Sequence, residues 1–142
     1  MLQKSISDVH TKIAEAGLRP TRQRVLLAKL LFTGKCRHVT AETLHREVAS
    51  TGANVSLATV YNTLHQFTEV KLLREVCVEG GPSYFDTNTD PHHHFLHEES
   101  GALTDIPEDD VKVTKMPIAP QGTSISRVDV VIRVSGALSK YA

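Results

Sequence analysis

The chain of 142 residues has no tryptophan, only 2 cysteines and no net charge. Cys36 and Cys77 do not form a C-x-x-C pair, and we expect both to be reduced and buried as small hydrophobic side chains. No apolar run is long enough to cross a bilayer, and the first residues carry charges where a signal peptide has its apolar core. These absences predict a cytoplasmic protein without membrane attachment.

The zero net charge hides an uneven distribution of charged residues. Residues 1–80 carry 5 Lys and 6 Arg against 7 acidic residues, whereas residues 81–142 carry 3 Lys and 2 Arg against 9 acidic residues. A basic first half suggests that this half alone meets a polyanion. A random distribution of surface charge is the alternative, and the positions of these charges in the fold distinguish the two explanations.

Four segments of the first half have apolar residues at helical spacing, near residues 6–17, 21–34, 40–52 and 56–69. The expected inward residues are Ile6, Val9, Ile13, Ala16, Val25, Leu26, Leu30, Leu31, Leu44, Val48, Leu57, Val60, Leu64 and Phe67. Thr21, Thr40 and Ser56 can cap three of these helices. Two strand-like runs follow, 72–78 and 83–85, joined by a Gly-Pro turn at 79–82. This order of helices and a hairpin predicts a winged helix-turn-helix domain over residues 1–84.

The second half, residues 85–142, reads as a small α/β domain. Strands are expected at 92–97, 103–106 and 128–134, a helix beginning at 107–110, and a polar loop at 117–126. A unit of this size buries too little apolar surface by itself, so a second copy of the chain would cover its exposed face. The expected fold class is therefore α+β, with a DNA-binding domain followed by a dimerisation domain.

The fourth helix has the composition of a DNA-reading helix. At 100° per residue, its polar residues fall on one arc, and hydroxyls and amides are the groups that read base edges. Arg19, Arg22 and Arg24 precede or begin the second helix and suit phosphate or minor-groove contacts. The arc residues are Ser56, Thr59, Asn62, Thr63 and Gln66. A solvated helix face is the alternative, but the helix order, the hairpin and the basic half together favour DNA binding.

Three sequence motifs in the first half resemble those of a known family: GLRPTRQR at 17–24, HVTAE at 38–42 and SLATVYNTL at 56–64. They resemble the ferric uptake regulator (Fur) superfamily, and the match continues through residues 84–86 and the histidine run to 127–131. The resemblance implies a homodimeric, metal-linked transcription regulator that binds a double-stranded DNA operator. It also implies that Tyr61 contacts DNA.

His92, His93 and His94 lie in a predicted strand, where side chains alternate between faces. His92 and His94 therefore share one face, as a pair able to chelate a transition metal or ligate a haem iron, and His93 points away. A single strand histidine is usually structural. Three in a row beside Asp86 and Asp90 favour a ligand function.

The resemblance implies a metal site at the hinge between the two domains, with ligands from both. By motif position these ligands are His38, Asp86, His92, His94 and Asp105. All five are residue types that bind Mn(II) or Fe(II).

The chain departs from many family members in lacking their structural zinc cysteines. His97 and Ser100 stand where the first C-x-x-C pair is expected, so a four-cysteine zinc site is excluded. A histidine triplet without these cysteines resembles the iron response regulator (Irr) branch, in which haem binding ends DNA binding. The resemblance therefore implies a haem-responsive regulator of iron and haem genes, with haem on His92, His93 and His94. An Mn(II)/Fe(II)-dependent or peroxide-sensing regulator of the Fur type remains the alternative.

Two further histidines leave a choice open. His38, His45 and His65 would form a second haem or metal cluster on the DNA-binding domain, or His45 and His65 are neutral side chains packed between helices. A metalloenzyme is the rival from another functional class. No general base stands beside an open metal position, so we expect no enzymatic activity.

Overall fold

The computed structural model describes residues 6–136, with the side chains of that range except those of Ile6 and Ser7. The expected inward position of Ile6 therefore lies outside the described side chains. The chain divides between Thr89 and Asp90 into two compact units, each described separately below. The expected boundary after Tyr84 falls inside the first unit, a few residues before this division.

The first unit contains four helices: α1 (Ile6–Glu15), α2 (Arg22–Leu31), α3 (Ala41–Ser50) and α4 (Leu57–Glu69). The last three begin as predicted, because the hydroxyls of Thr21, Thr40 and Ser56 each accept a hydrogen bond from the backbone N–H three residues later. Gly17 and Gly52 follow α1 and α3 with φ of 94° and 84°, a conformation that glycine adopts without strain.

The four helices enclose one apolar core. Ile13, Leu27, Leu44, Leu64 and Phe67 are fully buried in it. The inward face of α2 is rotated from the expected one: Leu27 and Ala28 are fully buried, whereas Leu26 and Leu30 are only partly buried. Leu57, expected to point inward, is 37% exposed, because it occupies the first turn of α4.

Three short strands complete the first unit: β1 (His38–Val39), β2 (Arg74–Cys77) and β3 (Ser83–Asp86). They form an antiparallel sheet in the order β1-β3-β2, with His38 paired with Asp86. Strand β1 was not expected, because two residues are too few to display an alternating pattern. Helices followed by this hairpin make the predicted winged helix.

The second unit is built on another three-stranded sheet. Its strands are β4 (His93–His97), β5 (Leu103–Ile106) and β6 (Val131–Val134), in the order β5-β4-β6. Strand β4 is antiparallel to β5 and parallel to β6. The expected strand at 128–134 is thus shorter than predicted. The α+β fold class is confirmed.

Two further expectations from the sequence are wrong. The helix expected from Pro107 is a single 3₁₀ turn, Glu108–Asp110, without a side-chain cap, and the β-branched Val111 follows it in extended conformation. Cys36 and Cys77 are exposed, because one lies in the connection after α2 and the other at the outward end of β2. Within the described range, no helix is both long and apolar enough to cross a membrane.

Candidate DNA-reading surface and candidate metal ligands

Helix α4 presents a polar side next to the start of α2. Its opposite side is anchored by Val60, Leu64 and Phe67, all fully buried. At its N-terminus the Ser56 hydroxyl donates to Thr59 Oγ1 at 2.9 Å and accepts from the Thr59 N–H at 3.1 Å. These bonds fix the first turn, so the polar side chains of α4 have a defined direction.

A cleft of about 280 Å³ separates the polar side of α4 from the first turn of α2. It is lined entirely by polar residues: Thr21, Gln23, Arg24, Thr59, Asn62, Thr63 and Gln66. Small-molecule pockets are usually lined mainly by apolar side chains, and this cleft has no such lining. The cleft has the chemistry of a surface that meets another polar molecule.

Arg24 joins the two helices across this cleft. Its Nε and Nη2 donate to Gln66 Oε1 at 3.3 and 3.1 Å, and its Nη1 donates to the carbonyl of Arg19 at 2.9 Å. The arginine is half-buried, unlike Arg19 and Arg22, which are exposed. The sequence could not reveal this contact, because Arg24 and Gln66 are 42 positions apart and belong to separate helices.

Thr63 is not on the exposed side of α4, in contrast to the expectation. It is 4% exposed and its hydroxyl donates to the carbonyl of Thr59 at 2.8 Å. The reason is its spacing, three residues after Val60 and four before Phe67, which puts it at the edge of the apolar stripe. Its hydroxyl proton is therefore used within the helix.

Tyr61 lies on the other flank of α4. Its hydroxyl donates to Glu42 Oε1 on α3 at 3.4 Å, and its ring stacks on His65 at a centroid distance of 6.0 Å. Desolvation and the neighbouring carboxylates of Glu42 and Glu75 raise the pKa of Tyr61. The phenol therefore stays neutral near pH 7 and can donate or accept a hydrogen bond.

In the second unit, two histidines converge on one carboxylate. His92 Nε2 lies 3.4 Å and His94 Nε2 lies 3.6 Å from Asp105 Oδ1, and the two imidazole rings are 4.5 Å apart. Strand pairing explains the arrangement, since His94 is opposite Asp105 in the β4–β5 register and side chains two residues apart share a face. The exposed fractions of His92 and His94 are only 6% and 2%.

The tautomer of His92 is fixed by its backbone contact. Its Nδ1 lies 2.6 Å from the carbonyl oxygen of Asp90, which can only accept, so Nδ1 carries the proton. In the neutral ring Nε2 therefore directs a lone pair towards the Asp105 carboxylate. A lone pair beside a carboxylate oxygen favours a cation or a proton between them, and a backbone carbonyl on the second nitrogen is typical of metal-binding histidines.

The distances suit a metal ion as well. Ligands each about 2.1 Å from one ion lie roughly 3 to 3.5 Å apart. The distances from the two imidazole Nε2 atoms to Asp105 Oδ1, 3.4 and 3.6 Å, are close to this. Two imidazoles and one carboxylate, without thiolate, suit Mn(II), Fe(II) or Zn(II). The donor set of His92, His94 and Asp105 thus fits a divalent ion.

The first unit contains a separate pair of the same residue types. His38 Nε2 lies 3.0 Å from Asp86 Oδ2, and the Asp86 side chain is fully buried. The other oxygen of Asp86 accepts the N–H of Asn88 at 2.9 Å. A buried carboxylate needs such contacts to offset the loss of its hydration.

His93 differs from its two neighbours, as strand alternation predicts. It is half-buried, and its Nδ1 accepts the N–H of Val130 at 3.2 Å. Accepting at Nδ1 leaves the proton of the neutral ring on Nε2. The triplet therefore consists of a buried pair facing Asp105 and one histidine that ties β4 to the chain before β6.

His45 and His65 do not join His38 in a cluster. Among the described residues, neither belongs to a group of three or more ligand atoms close enough to hold one ion. His65 packs edge-on against Phe85 at 5.5 Å and lies 4.0 Å from a carboxylate oxygen of Glu75. Its side chain is 49% exposed, so His65 is not packed between helices as the alternative expected.

Comparisons with known proteins decide the family. The profile described as "Ferric uptake regulator family" matches residues 15–133. The chain belongs to the ferric uptake regulator family. The ferric uptake regulation protein of Vibrio anguillarum is 30% identical over 117 residues, which are 82% of this chain and 78% of the relative. That of Escherichia coli is 30% identical over 115 residues, covering 80% and 78%.

Solved structures of ferric uptake regulators share the fold. The structure from Pseudomonas aeruginosa with manganese has a TM-score of 0.69 at 24% identity and covers 90% of this chain and 97% of the other. The structure from Vibrio cholerae has a TM-score of 0.68 at 22% identity, with 89% and 98% covered. At these identities the likeness concerns the fold, and the family rests on the sequence matches above.

Proposed function

We propose that this chain is a metal-responsive transcription regulator that binds a double-stranded DNA operator as a homodimer in the cytoplasm. The observation that carries the proposal is the capped, polar-faced α4 beside the arginine-rich start of α2, in a chain of this family. Exposed hydroxyls and amides on one helix face can read base edges in a major groove. Relatives named ferric uptake regulation proteins support regulation rather than enzymatic catalysis.

The DNA-reading set follows from exposure and chemistry. Ser56 and Asn62 are exposed on the polar side of α4, with the half-buried Thr59 between them, and Tyr61 lies on the other flank. Arg19 and Arg22 are exposed and would neutralise phosphates. We do not include Thr63 in this set, because its hydroxyl donates to the Thr59 carbonyl within the helix.

The proposed effector is Mn(II) or Fe(II). His92, His94 and Asp105 would hold the ion, and we propose His38 and Asp86 as the remaining ligands. When bound, the ion supplies the positive charge that clustered carboxylates and imidazoles require. In the sequence, the two sets of proposed ligands lie on either side of the division between the units. An ion shared by both sets would link the first unit, which carries the proposed DNA-reading surface, to the second unit. The lack of C-x-x-C pairs in the sequence supports a site without thiolates.

Haem is the second candidate effector. The histidine triplet and the missing zinc cysteines favour it, as in the Irr branch that the sequence resembles. The burial of His92 and His94 argues against it, since a porphyrin cannot reach rings that are 6% and 2% exposed without a rearrangement of β4. Haem binding would therefore rest mainly on the half-buried His93.

The proposed homodimer would use the second unit. Its described part exposes a series of large apolar side chains: Val113, Met116, Ile118, Ile125, Val128 and Ile132. Strand β6 is at the edge of its sheet, and Ile132 belongs to it. A second copy would cover this surface and the strand edge.

One binding experiment tests function and effector together. Purified protein is titrated into a labelled promoter fragment of an iron-uptake gene, with Mn(II), with haem, or with a chelator. We expect Mn(II) to tighten binding at least tenfold relative to the chelator. His94→Ala should remove this response, and His93→Ala, the neighbouring control, should retain it. A response to haem that His93→Ala removes would favour the second candidate. No preference for the promoter over random duplex under any condition would contradict the proposed function.

A further inference from the structure

We propose that Gln66 reads bases as a hydrogen-bond donor only, and that Arg24 is the positioning residue that orients it. The proposal rests on the proposed DNA-binding function and specifies how one position of the site is read. It concerns the contact across the cleft between α2 and α4, where the guanidinium of Arg24 meets the amide of Gln66.

The orientation of the Gln66 amide follows from donor and acceptor chemistry. A guanidinium has five N–H donors and no acceptor, so the atom that faces Nε and Nη2 of Arg24 has to be the amide oxygen. Two bonds converge on this oxygen at 3.3 and 3.1 Å. The amide is planar, and its NH₂ group is consequently turned away from Arg24.

Arg24 is itself fixed. Its Nη1 donates to the Arg19 carbonyl at 2.9 Å, and its backbone N–H donates to the capping hydroxyl of Thr21 at 3.3 Å. The guanidinium is therefore held from both sides of the cleft. A reversed Gln66 amide would place two N–H donors against the guanidinium, which is electrostatically unfavourable.

This arrangement changes what Gln66 can recognise. A free glutamine reads adenine by accepting from N6–H₂ through its oxygen and donating to N7 through its nitrogen. Here the oxygen is occupied by Arg24, so the amide offers donors alone. Donors match edges that present acceptors alone, which are O6 and N7 of guanine and O4 of thymine, whereas adenine sets its N6–H₂ donor beside its N7 acceptor. We expect a preference for guanine or thymine over adenine and cytosine at the base pair facing Gln66.

The test is selection of duplexes from a randomised library by the Mn(II)-loaded full chain, followed by sequencing. Gln66→Glu is nearly isosteric and its carboxylate keeps the bonds from Arg24, but it replaces the donors with an acceptor. The preference at one position of each half-site should change from guanine or thymine to cytosine or adenine. Arg24→Lys removes the two-pronged contact, releases the amide, and should add adenine to the accepted bases at that position.

The matched control is Arg46→Lys, which makes the same change at an exposed position of α3 outside the cleft and should leave every base preference unchanged. A second measurement uses the wild-type protein alone. If the selected base is guanine, 7-deazaguanine there should weaken binding about tenfold; if it is thymine, a base without O4 should do the same.

The outcomes separate the inference from the proposed function. Sequence-specific binding with the same preferences in wild type, Gln66→Glu and Arg24→Lys would overturn the inference and leave the function standing. Unchanged affinity for the modified bases would overturn it as well. Failure of the wild-type protein to select any duplex would contradict the proposed function itself. Circular dichroism of each variant establishes that the chains compared are folded.

Discussion

The two units of the chain are stabilised in different ways. The first, up to Thr89, has a continuous apolar cluster in which aliphatic and aromatic residues from all four helices are buried together. In the described part of the second, the buried apolar residues are Leu96, Leu103 and Ile106, and three histidines are buried beside them. The described part of the second unit therefore buries three imidazoles and three aliphatic side chains.

The second unit therefore depends for its stability on more than its own apolar core. Burial of apolar surface, worth about 25 cal/mol per Å², is the main source of folding free energy, and the second unit buries little apolar surface. A divalent ion or a second copy of the chain would add the stabilisation that this small core does not supply. We therefore expect the first unit to be the more stable of the two in the absence of an effector.

The largest effect should appear in hydrogen exchange of the full chain without metal. We expect the amide of Leu96 in β4 to exchange a thousandfold or more faster than that of Leu64 in α4, a difference of about 4 kcal/mol in opening free energy. Mn(II) should slow exchange of Leu96 far more than that of Leu64. Equal protection of the two amides without metal would contradict the contrast between the units.

The next effect separates a buried histidine that we propose as a metal ligand from one that we do not. Mn(II) at one hundred times its dissociation constant should stabilise the wild-type chain by about 2.7 kcal/mol in thermal unfolding. We expect His94→Ala to lose this stabilisation. His97→Ala is the control, because His97 is also buried in β4 but its Nε2 bonds to Thr104 Oγ1 at 2.9 Å. Loss of the metal effect in both variants would point to general damage to the sheet.

The third effect compares one ion pair from each unit. Arg37 binds both carboxylate oxygens of Glu47, at 2.9 and 2.7 Å, and donates to the Leu30 carbonyl at the end of α2. We expect Arg37→Ala to lower the free energy of unfolding by about 2 kcal/mol. Arg127 pairs with Asp129 at 2.8 Å at the surface, and Arg127→Ala should cost at most about 0.5 kcal/mol. Similar losses in urea unfolding would refute this comparison.

The sequence predicted the first unit better than the second for a physical reason. Caps such as Thr40 and Ser56 and the helical repeat of apolar residues are local signals, and a helix is a local structure. The short strand β1 had no such signal, because it exists only through its pairing with β3. The helix expected after Pro107 failed since acidic residues at a helix start are only a weak preference, and the residues that follow favour extended backbone.

The candidate site was predictable in part. Alternation along a strand was sufficient to place His92 and His94 on one side and His93 on the other. Their convergence on Asp105 depends on the β4–β5 register, which the sequence does not encode in any single segment. The contact between Arg24 and Gln66 was beyond sequence reasoning for the same reason, since it joins two helices far apart in the chain.

The smallest effect concerns alkaline pH and the first unit alone. Tyr84 in β3 is buried, and burial raises the pKa of its phenol above the ordinary value of 10.0. The folded chain therefore keeps this proton at a pH where the unfolded chain has released it. The resulting contribution to stability is complete below about pH 10 and is lost as the pH rises through the pKa of the folded state.

Tyr84→Phe should remove this loss, so that the free energy of unfolding declines less steeply above pH 10 than in the wild-type chain. Circular dichroism at the helical band suits the measurement, because all the α-helices described lie in the first unit. Tyr61→Phe offers a comparison, since the raised pKa of Tyr61 has neighbouring carboxylates as additional causes. An alkaline decline in Tyr84→Phe as steep as in the wild-type chain would show that ionisation elsewhere sets the alkaline limit of the first unit.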